Sequence, residues 1–314
     1  MSPQDSQISQ AARALAAAGR DESRPLRAAA DVVRLVAHRG AGHQQTDPQG
    51  PPENTLAAVA HGFAVGADAV EVDVWLTADG VPILHHDRTT DRTTDRVGRS
   101  ITDLTLAEVS ALDAGSWKSP RWAAQPVPTL AAVAAAVPAE RGLVVEIEEG
   151  PQVVPHLLAA LQPVGLADEQ IVFISYNLDT IAEMKKSARQ HRAYWIVDTL
   201  PRWQLGGWCQ GHRRGIASER VGYDEAANPG WLAEQAVGAG LDGLDTLFAY
   251  PPELPQQLAA VGLDWLVWTA NDPRAIDSCI DDGAWGITTD NTADVARWLS
   301  AAEIATARTA GIAF

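Results

Sequence analysis

The stretch Val70–Asp87, VEVDVWLTADGVPILHHD, decides how the rest of the chain is read. It opens as an apolar strand that carries Glu71 and Asp73, turns at Asp79-Gly80, and comes back to two histidines and an aspartate. Charged residues are disfavoured in strands, and a buried carboxylate without a partner costs several kcal/mol. Parallel neighbours need a crossover of a dozen or more residues, so the short return makes an antiparallel hairpin at the end of a strand. With Thr77 set opposite Pro82, Trp75 falls near Leu84 and Asp73 near His86. The turn then carries a histidine back to the carboxylates, and alternation at period two puts Glu71 and Asp73 on one face.

Outward from the hairpin, short β-branched or apolar runs alternate with helical segments, the pattern of βα units and a parallel sheet. Eight strands are expected over 33–38, 69–76, 143–148, 171–175, 193–197, 241–247, 264–270 and 285–290. Between them lie apolar stripes at helical spacing: Leu56, Val59, Ala60 and Phe63; Ile276, Cys279 and Ile280 after Pro273 and before Gly283; Val295, Trp298 and Leu299 after Asn291. Eight such units suit a (β/α)8 TIM barrel, for which about 250 residues is usual. The hairpin is then an insertion after strand two. Periodicity alone fits a doubly wound open sheet as well. Residues 1–30 read as an N-terminal extension, helical or partly disordered, and 31–314 as the barrel domain.

Composition narrows the partners. The 314 residues are 46% hydrophobic with 11 tryptophans, enough for a large core. The 24 basic and 40 acidic residues leave a net charge of −16, which repels nucleic acid and anionic lipid surfaces. Two cysteines, Cys209 and Cys279, rule out a disulfide framework or a cysteine-rich metal site. The first residues are charged throughout, without the apolar run of a signal peptide or membrane span, so a cytoplasmic protein with no membrane insertion is expected.

Strand ends on the upper face are where this barrel builds active sites. His38 and Arg39 end strand one, Glu71 and Asp73 strand two, and Glu146 strand three. So many carboxylates do not ionise side by side without a cation, and all-oxygen ligation selects one hard divalent ion, Mg2+ or Ca2+. His38 and His86 would flank it, and imidazole is suited to giving or taking a proton near neutral pH. His61, in the first helical segment, has no such setting, and His43, in the loop before it, reads as a solvated loop histidine or a substrate contact.

HRG (38–40), PENT (52–55), EVDV (71–74), DGVPILHHD (79–87), DRTT (91–94), LDAGSW (112–117), VPTLAAV (127–133), EIE (146–148), WTAND (268–272) and GITTD (286–290) together resemble the glycerophosphodiester phosphodiesterase family, in order, over about residues 33–300. The resemblance implies a (β/α)8 barrel with an insertion after its second strand, and metal-dependent hydrolysis of a small glycerophosphodiester to glycerol 3-phosphate and an alcohol. It implies Glu71, Asp73 and Glu146 as metal ligands, His38 and His86 as the acid and base pair, and Arg39 on the phosphate. Glu53 stands beside the metal as a ligand or behind one; Trp268 and Asn271 wall the substrate or serve the core. The nucleophile is either a neighbouring glycerol hydroxyl or water. Two departures stand out. The spacer between Gly40 and Pro52 is several residues long for the family, and Glu148 occupies the place where the family usually has a phosphate-binding lysine. Three settings are open to Glu148: an arginine partner, the metal shell, or a cationic head group. A lysophospholipase D-like enzyme and a barrel that binds phosphodiesters without turnover are the alternatives.

Overall fold

The computed structural model describes residues 33–42, 49–198 and 228–301. Nine strands make one sheet: β1 Arg34–Ala37, β2 Ala69–Leu76, β3 Pro82–Leu84, β4 Gly142–Ile147, β5 Ile171–Ser175, β6 Arg192–Val197, β7 Gly243–Leu247, β8 Asp264–Trp268 and β9 Gly286–Thr289. Eight are parallel, and β1 pairs with both β2 and β9, so the sheet closes into a barrel. The open doubly wound sheet is thereby excluded. All eight expected strands are present, two of them with the expected bounds and the rest with ends moved by at most two residues. Residues 1–30, His43 and Cys209 lie outside the described residues.

Closure produces layers. The register places Val36, Val144, Tyr194 and Leu266, one from every second strand, in a single apolar layer inside the barrel. Two residues further along those strands come His38, Glu146, Ile196 and Trp268, so the same alternation that fills the core delivers the site to the upper mouth. The opposite strand faces pack against the helices in the main core, which includes Val72, Val145, Phe173, Trp195, Val267 and Ile287.

The helices start and stop on identifiable residues. Thr55 caps Leu56–Ala64 by accepting from Ala58 N. Its buried face is not quite the expected stripe: Val59 is buried, whereas Ala60 and Leu56 face solvent. Ala58 and Gly62 turn inward instead, because this helix packs against the backbone after β1; a Cβ on Gly40 would meet Val59 N at 2.8 Å. The helix Pro273–Asp281 follows the sequence closely, with Asp272 accepting from Arg274 N and Ala275 N, Ile276 and Cys279 buried, and Gly283 ending it at φ 92.

The hairpin forms, one residue out of the expected register. Val74 pairs with Leu84, Trp75 with Ile83 and Leu76 with Pro82. Thr77 N donates to Val81 O, which leaves a three-residue loop, Ala78-Asp79-Gly80, with Gly80 in the left-handed region at φ 79. Asp73 therefore meets His85 across the ladder, through His85 N to Asp73 O at 3.0 Å. Beyond β3 the insertion continues to residue 129 and gathers its own small core from Trp75, Ile83, Ile101, Leu104, Val109 and Leu112. Among the described residues, no helix is long and apolar enough to cross a membrane.

Candidate active site

The site grows from two loops that touch the upper end of β2. After β1 the chain runs through Arg39, Gly40 and Ala41, all at positive φ, and Asn54 on the facing loop is at φ 55. Conformations of this kind cost on the order of 1–3 kcal/mol each for residues other than glycine and cluster at functional sites. Here they turn Arg39 N onto Glu71 Oε2 at 2.8 Å. Asn54 Nδ2 donates to Asp73 Oδ2 at 2.6 Å while its Oδ1 accepts from Asp73 N at 3.1 Å. Each strand carboxylate thus has one oxygen held in place.

The other two oxygens have no hydrogen bond. Glu71 Oε1 and Asp73 Oδ1 are buried without a partner. Burial, then the neighbouring charges of Asp73 and Glu146, push the Glu71 carboxyl well above the usual range. Burial also works against Asp73, but His86, Arg39 and the Asn54 bond bring it below its ordinary value. Glu71, Asp73 and Glu146 offer oxygens that all lie within 4.8 Å of one another. A buried all-oxygen group with orphaned atoms and a carboxyl forced upward by its neighbours fits a hard divalent cation.

The two histidines stand at the cluster, each fastened by a carboxylate. His38 Nδ1 is 2.6 Å from Asp290 Oδ1, and its Nε2 is 4.0 Å from Glu71 Oε2. Asn271 fixes Asp290 in turn: its Nδ2 donates to Asp290 Oδ2 at 2.8 Å and its Oδ1 accepts from Asp290 N at 2.8 Å. Asn271 therefore reaches the site through His38's partner. His86 Nδ1 is 2.5 Å from Asp87 Oδ1, and Trp75 Nε1 donates to His86 O at 3.1 Å. His86 arrives by the bend that follows β3, since the strand register gives Asp73 to His85. His85 is buried, with Nδ1 on Asp87 O at 2.6 Å and Nε2 on Thr93 Oγ1 at 3.0 Å, a structural setting.

Glu53 is clamped. Arg39 Nη1 donates to its Oε1 at 2.8 Å, and Arg92 reaches both oxygens at 2.8 and 2.7 Å. Burial would raise the Glu53 carboxyl, but Arg39 and Arg92 outweigh it and hold the group well below the usual range. Arg92 also donates from Nε to Asp87 Oδ2 at 2.8 Å, so one arginine links Glu53 to the carboxylate behind His86. Glu53 thus stands behind the cluster. Glu148 lies closer in, where it, Asp73 and His86 offer ligand atoms within 4.8 Å of one another. Trp268 is half-buried in the barrel mouth, edge-on to Tyr176 at 5.9 Å. From the insertion, Lys118 Nζ donates to Gly42 O at 2.8 Å and Pro51 O at 2.9 Å, tying down both ends of the long spacer.

Sequence reasoning passed over Asp290, Asn54, Asp87, Arg92 and Lys118. Asp290 carried a usable signal, since it ends a strand on the same face as the carboxylates already selected. Asp245 was passed over too. It points into the barrel from β7 between Ile196 and Leu266, its Oδ1 has no hydrogen bond, and burial pushes its carboxyl well above the usual range.

The sequence pattern of the Glycerophosphoryl diester phosphodiesterase family matches residues 38–294. A glycerophosphodiester phosphodiesterase of Caldanaerobacter subterraneus subsp. tengcongensis is 35% identical over 159 residues, 49% of this chain and 62% of that relative. Human glycerophosphodiester phosphodiesterase 1 is 45% identical over 83 residues, 26% of this chain and 23% of that protein. The chain thus matches less than two thirds of the length of these curated relatives. Among solved structures, an Oleispira antarctica phosphodiesterase in complex with the product sn-glycerol-3-phosphate superposes with a TM-score of 0.66 at 24% identity, covering 85% of this chain and 96% of that one.

Proposed function

This chain belongs to the glycerophosphoryl diester phosphodiesterase family, and from that premise we propose that it hydrolyses a small glycerophosphodiester to glycerol 3-phosphate and an alcohol. The observation that carries the reading is the pair of carboxylate-held imidazoles at one carboxylate cluster, His38 with Asp290 beside Glu71 and His86 with Asp87 beside Asp73. A module that only binds phosphodiesters has no use for two oriented proton carriers. The relatives' names and the product held by the Oleispira antarctica protein support the substrate class.

Glu71, Asp73 and Glu146 would hold a divalent cation, Mg2+ or Ca2+, which when bound supplies positive charge against the phosphate oxygens. The rest is the work of this chain's own groups. Arg39, with its guanidinium at the edge of the cluster, adds charge and hydrogen bonds for the phosphate. Asp290 and Asp87 each accept the Nδ1 proton of their histidine, which leaves Nε2 on each ring to exchange a proton with the reactants. One imidazole takes the proton of the attacking hydroxyl or water; the other gives one to the departing alkoxide. Trp268, edge-on to Tyr176, would wall the mouth.

The test is release of glycerol 3-phosphate from glycerophosphocholine, glycerophosphoethanolamine, glycerophosphoglycerol and a lysophospholipid, with Mg2+ or Ca2+ added and after chelation. Turnover of the small diesters that needs an added cation supports the reading. No turnover of any of them by folded, cation-loaded protein overturns it.

A further inference from the structure

We propose that Asp245 is the hydroxyl-binding group of a substrate subsite set into the floor of the mouth, across the barrel from the carboxylate cluster. That the occupant is an arm of a glycerophosphodiester rests on the function proposed above; that the subsite takes a hydroxyl does not.

The register locates it. Every second strand supplies the apolar layer of Val36, Val144, Tyr194 and Leu266 and, above it, the mouth layer of His38, Glu146, Ile196 and Trp268. The intervening strands put Glu71, Ile174, Asp245 and Thr288 between the two. β2 and β7 are four steps apart in a ring of eight, so Glu71 and Asp245 stand on opposite walls at one height. Branched apolar residues dominate such layers, yet three of these four are polar. Glu71 belongs to the carboxylate cluster. Asp245 and Thr288, each 2% exposed, do not.

Among the described residues nothing holds Asp245. Its Oδ1 is buried without a hydrogen bond, and its partners in the sheet register are Ile196 and Leu266. Burial alone pushes its carboxyl well above the usual range. Glu53 and Asp290, by contrast, are met by arginine and amide donors. A buried polar group left in this state is a net cost to the fold, and a branched apolar residue would fill the layer without it. Such a departure from the rules of the core is expected where a ligand completes the group.

The chemistry of the ligand follows from the same burial, which favours the neutral acid. That form has one O–H to donate and lone pairs to accept, the complement of an alcohol hydroxyl. A quaternary ammonium has nothing to donate and demands the ionised form that burial opposes. The interior of an eight-stranded barrel is only as wide as its side chains fill, so an arm of a few carbons on a phosphate at the cluster spans to the opposite wall. Small diesters carry hydroxyls in two places. The glycerol arm is common to all of them, whereas the departing alcohol has free hydroxyls in glycerophosphoglycerol and none in glycerophosphocholine.

The experiment compares wild type with Asp245→Val, Asp245→Ala and Asp245→Asn, using the full chain in saturating Mg2+. Calorimetry measures binding of sn-glycerol 3-phosphate against propyl phosphate, which has the same carbon count and no hydroxyl; KM is then measured for glycerophosphoglycerol and glycerophosphocholine. If the glycerol arm is the occupant, Asp245→Val should reduce the preference for glycerol 3-phosphate over propyl phosphate at least tenfold and raise both KM values alike. If the departing alcohol is the occupant, KM should rise at least tenfold for glycerophosphoglycerol alone. In both cases Asp245→Asn, which keeps a donor and an acceptor, should stay within threefold of wild type, and Asp245→Val should not lower Tm. Asp245→Ala, which cannot overpack the layer, should lose the preference as fully and serves if the valine variant does not fold. Unchanged preference and unchanged KM values in a folded variant, or an equal loss of glycerol 3-phosphate and propyl phosphate, would overturn the subsite. A protein that reads the glycerol hydroxyls through Asp245 and cleaves none of the diesters would remove the activity reading and leave the subsite.

Discussion

Asp290→Asn tests the site at the bond that orients His38. In the native arrangement Asp290 Oδ1 accepts from His38 Nδ1, and Oδ2 accepts from Asn271 Nδ2. An asparagine at this position has one acceptor and one donor to place. Asn271 cannot turn round, because its Oδ1 is held by Asp290 N at 2.8 Å and by Thr289 Oγ1 at 2.9 Å. The new amide oxygen must therefore face Asn271 and the new NH2 must face His38. His38 Nδ1 then becomes an acceptor, the ring proton moves to Nε2, and the lone pair is lost from the side that faces the carboxylate cluster. Loss of a general acid or base costs about 10²–10⁴ in rate, or about 2.7–5.4 kcal/mol at 1.36 kcal/mol per tenfold. The assay is kcat for glycerol 3-phosphate release across pH, with folding checked by circular dichroism.

The same geometry supplies a rescue. In Asp290→Asn with Asn271→Asp, the new carboxylate at 271 accepts from the amide at 290, whose oxygen is then free to face His38 Nδ1. The double variant should recover at least tenfold in kcat over the single one. A folded Asp290→Asn enzyme within threefold of wild type, or a double variant no better than the single, would refute the orienting role of Asp290.

Chelation should abolish turnover, and Mg2+ or Ca2+ should restore it; at a hundredfold excess over Kd the cation adds about 2.7 kcal/mol of stability, read as a rise in Tm. Because Glu71 is pushed upward beside Asp73 and Glu146, cation binding should release protons, measured by calorimetry in buffers of different ionisation enthalpy. His86→Ala should lower kcat by about 10² or more in a folded protein, while His61→Ala, on the helix after the first loop, should leave it within twofold. Glu53→Gln should lower stability at pH 7 in urea denaturation, since it removes one charged partner from each of two arginines and leaves them only Asp73 and Asp87. The folded pKa of Glu53 is depressed, so its contribution is present above the unfolded value near 4.3 and is lost as pH falls through the folded value. The gap between wild type and variant should therefore narrow only in strong acid.

How far the sequence could be read depended on the range of the interaction. The eight strands were legible because each is a short run that must bury both faces, and the mouth was legible because strand ends in a closed barrel converge. The hairpin register was not, since one residue more or less in the loop is decided by a glycine at positive φ and leaves the apolar pattern of VPIL intact. That single step moved His85 into the ladder opposite Asp73 and left His86 to reach the site by the bend beyond it. The bonds that hold the histidines were illegible for another reason: Asp290 is 252 positions from His38, and no local period links them. Arg92 lies in the irregular insertion, where neither propensity nor periodicity says which side chain turns inward.

Five carboxylates of the site fall into two classes, and the division says how the site would behave without the proposed cation. Glu53, Asp87 and Asp290 form an outer ring, each neutralised or fixed by arginine, imidazole or amide donors within the chain. Glu71 and Asp73 form the inner class, each with one oxygen held and one left over. The outer ring is complete on folding and needs nothing from solution. The inner pair is tolerable in the absence of a cation because burial and the charges of Asp73 and Glu146 push the Glu71 carboxyl well above its ordinary range, which eases the repulsion between them. The proposed cation would meet a site whose walls are already built, and chelation should remove activity while the barrel, both dyads and the Glu53 clamp remain standing.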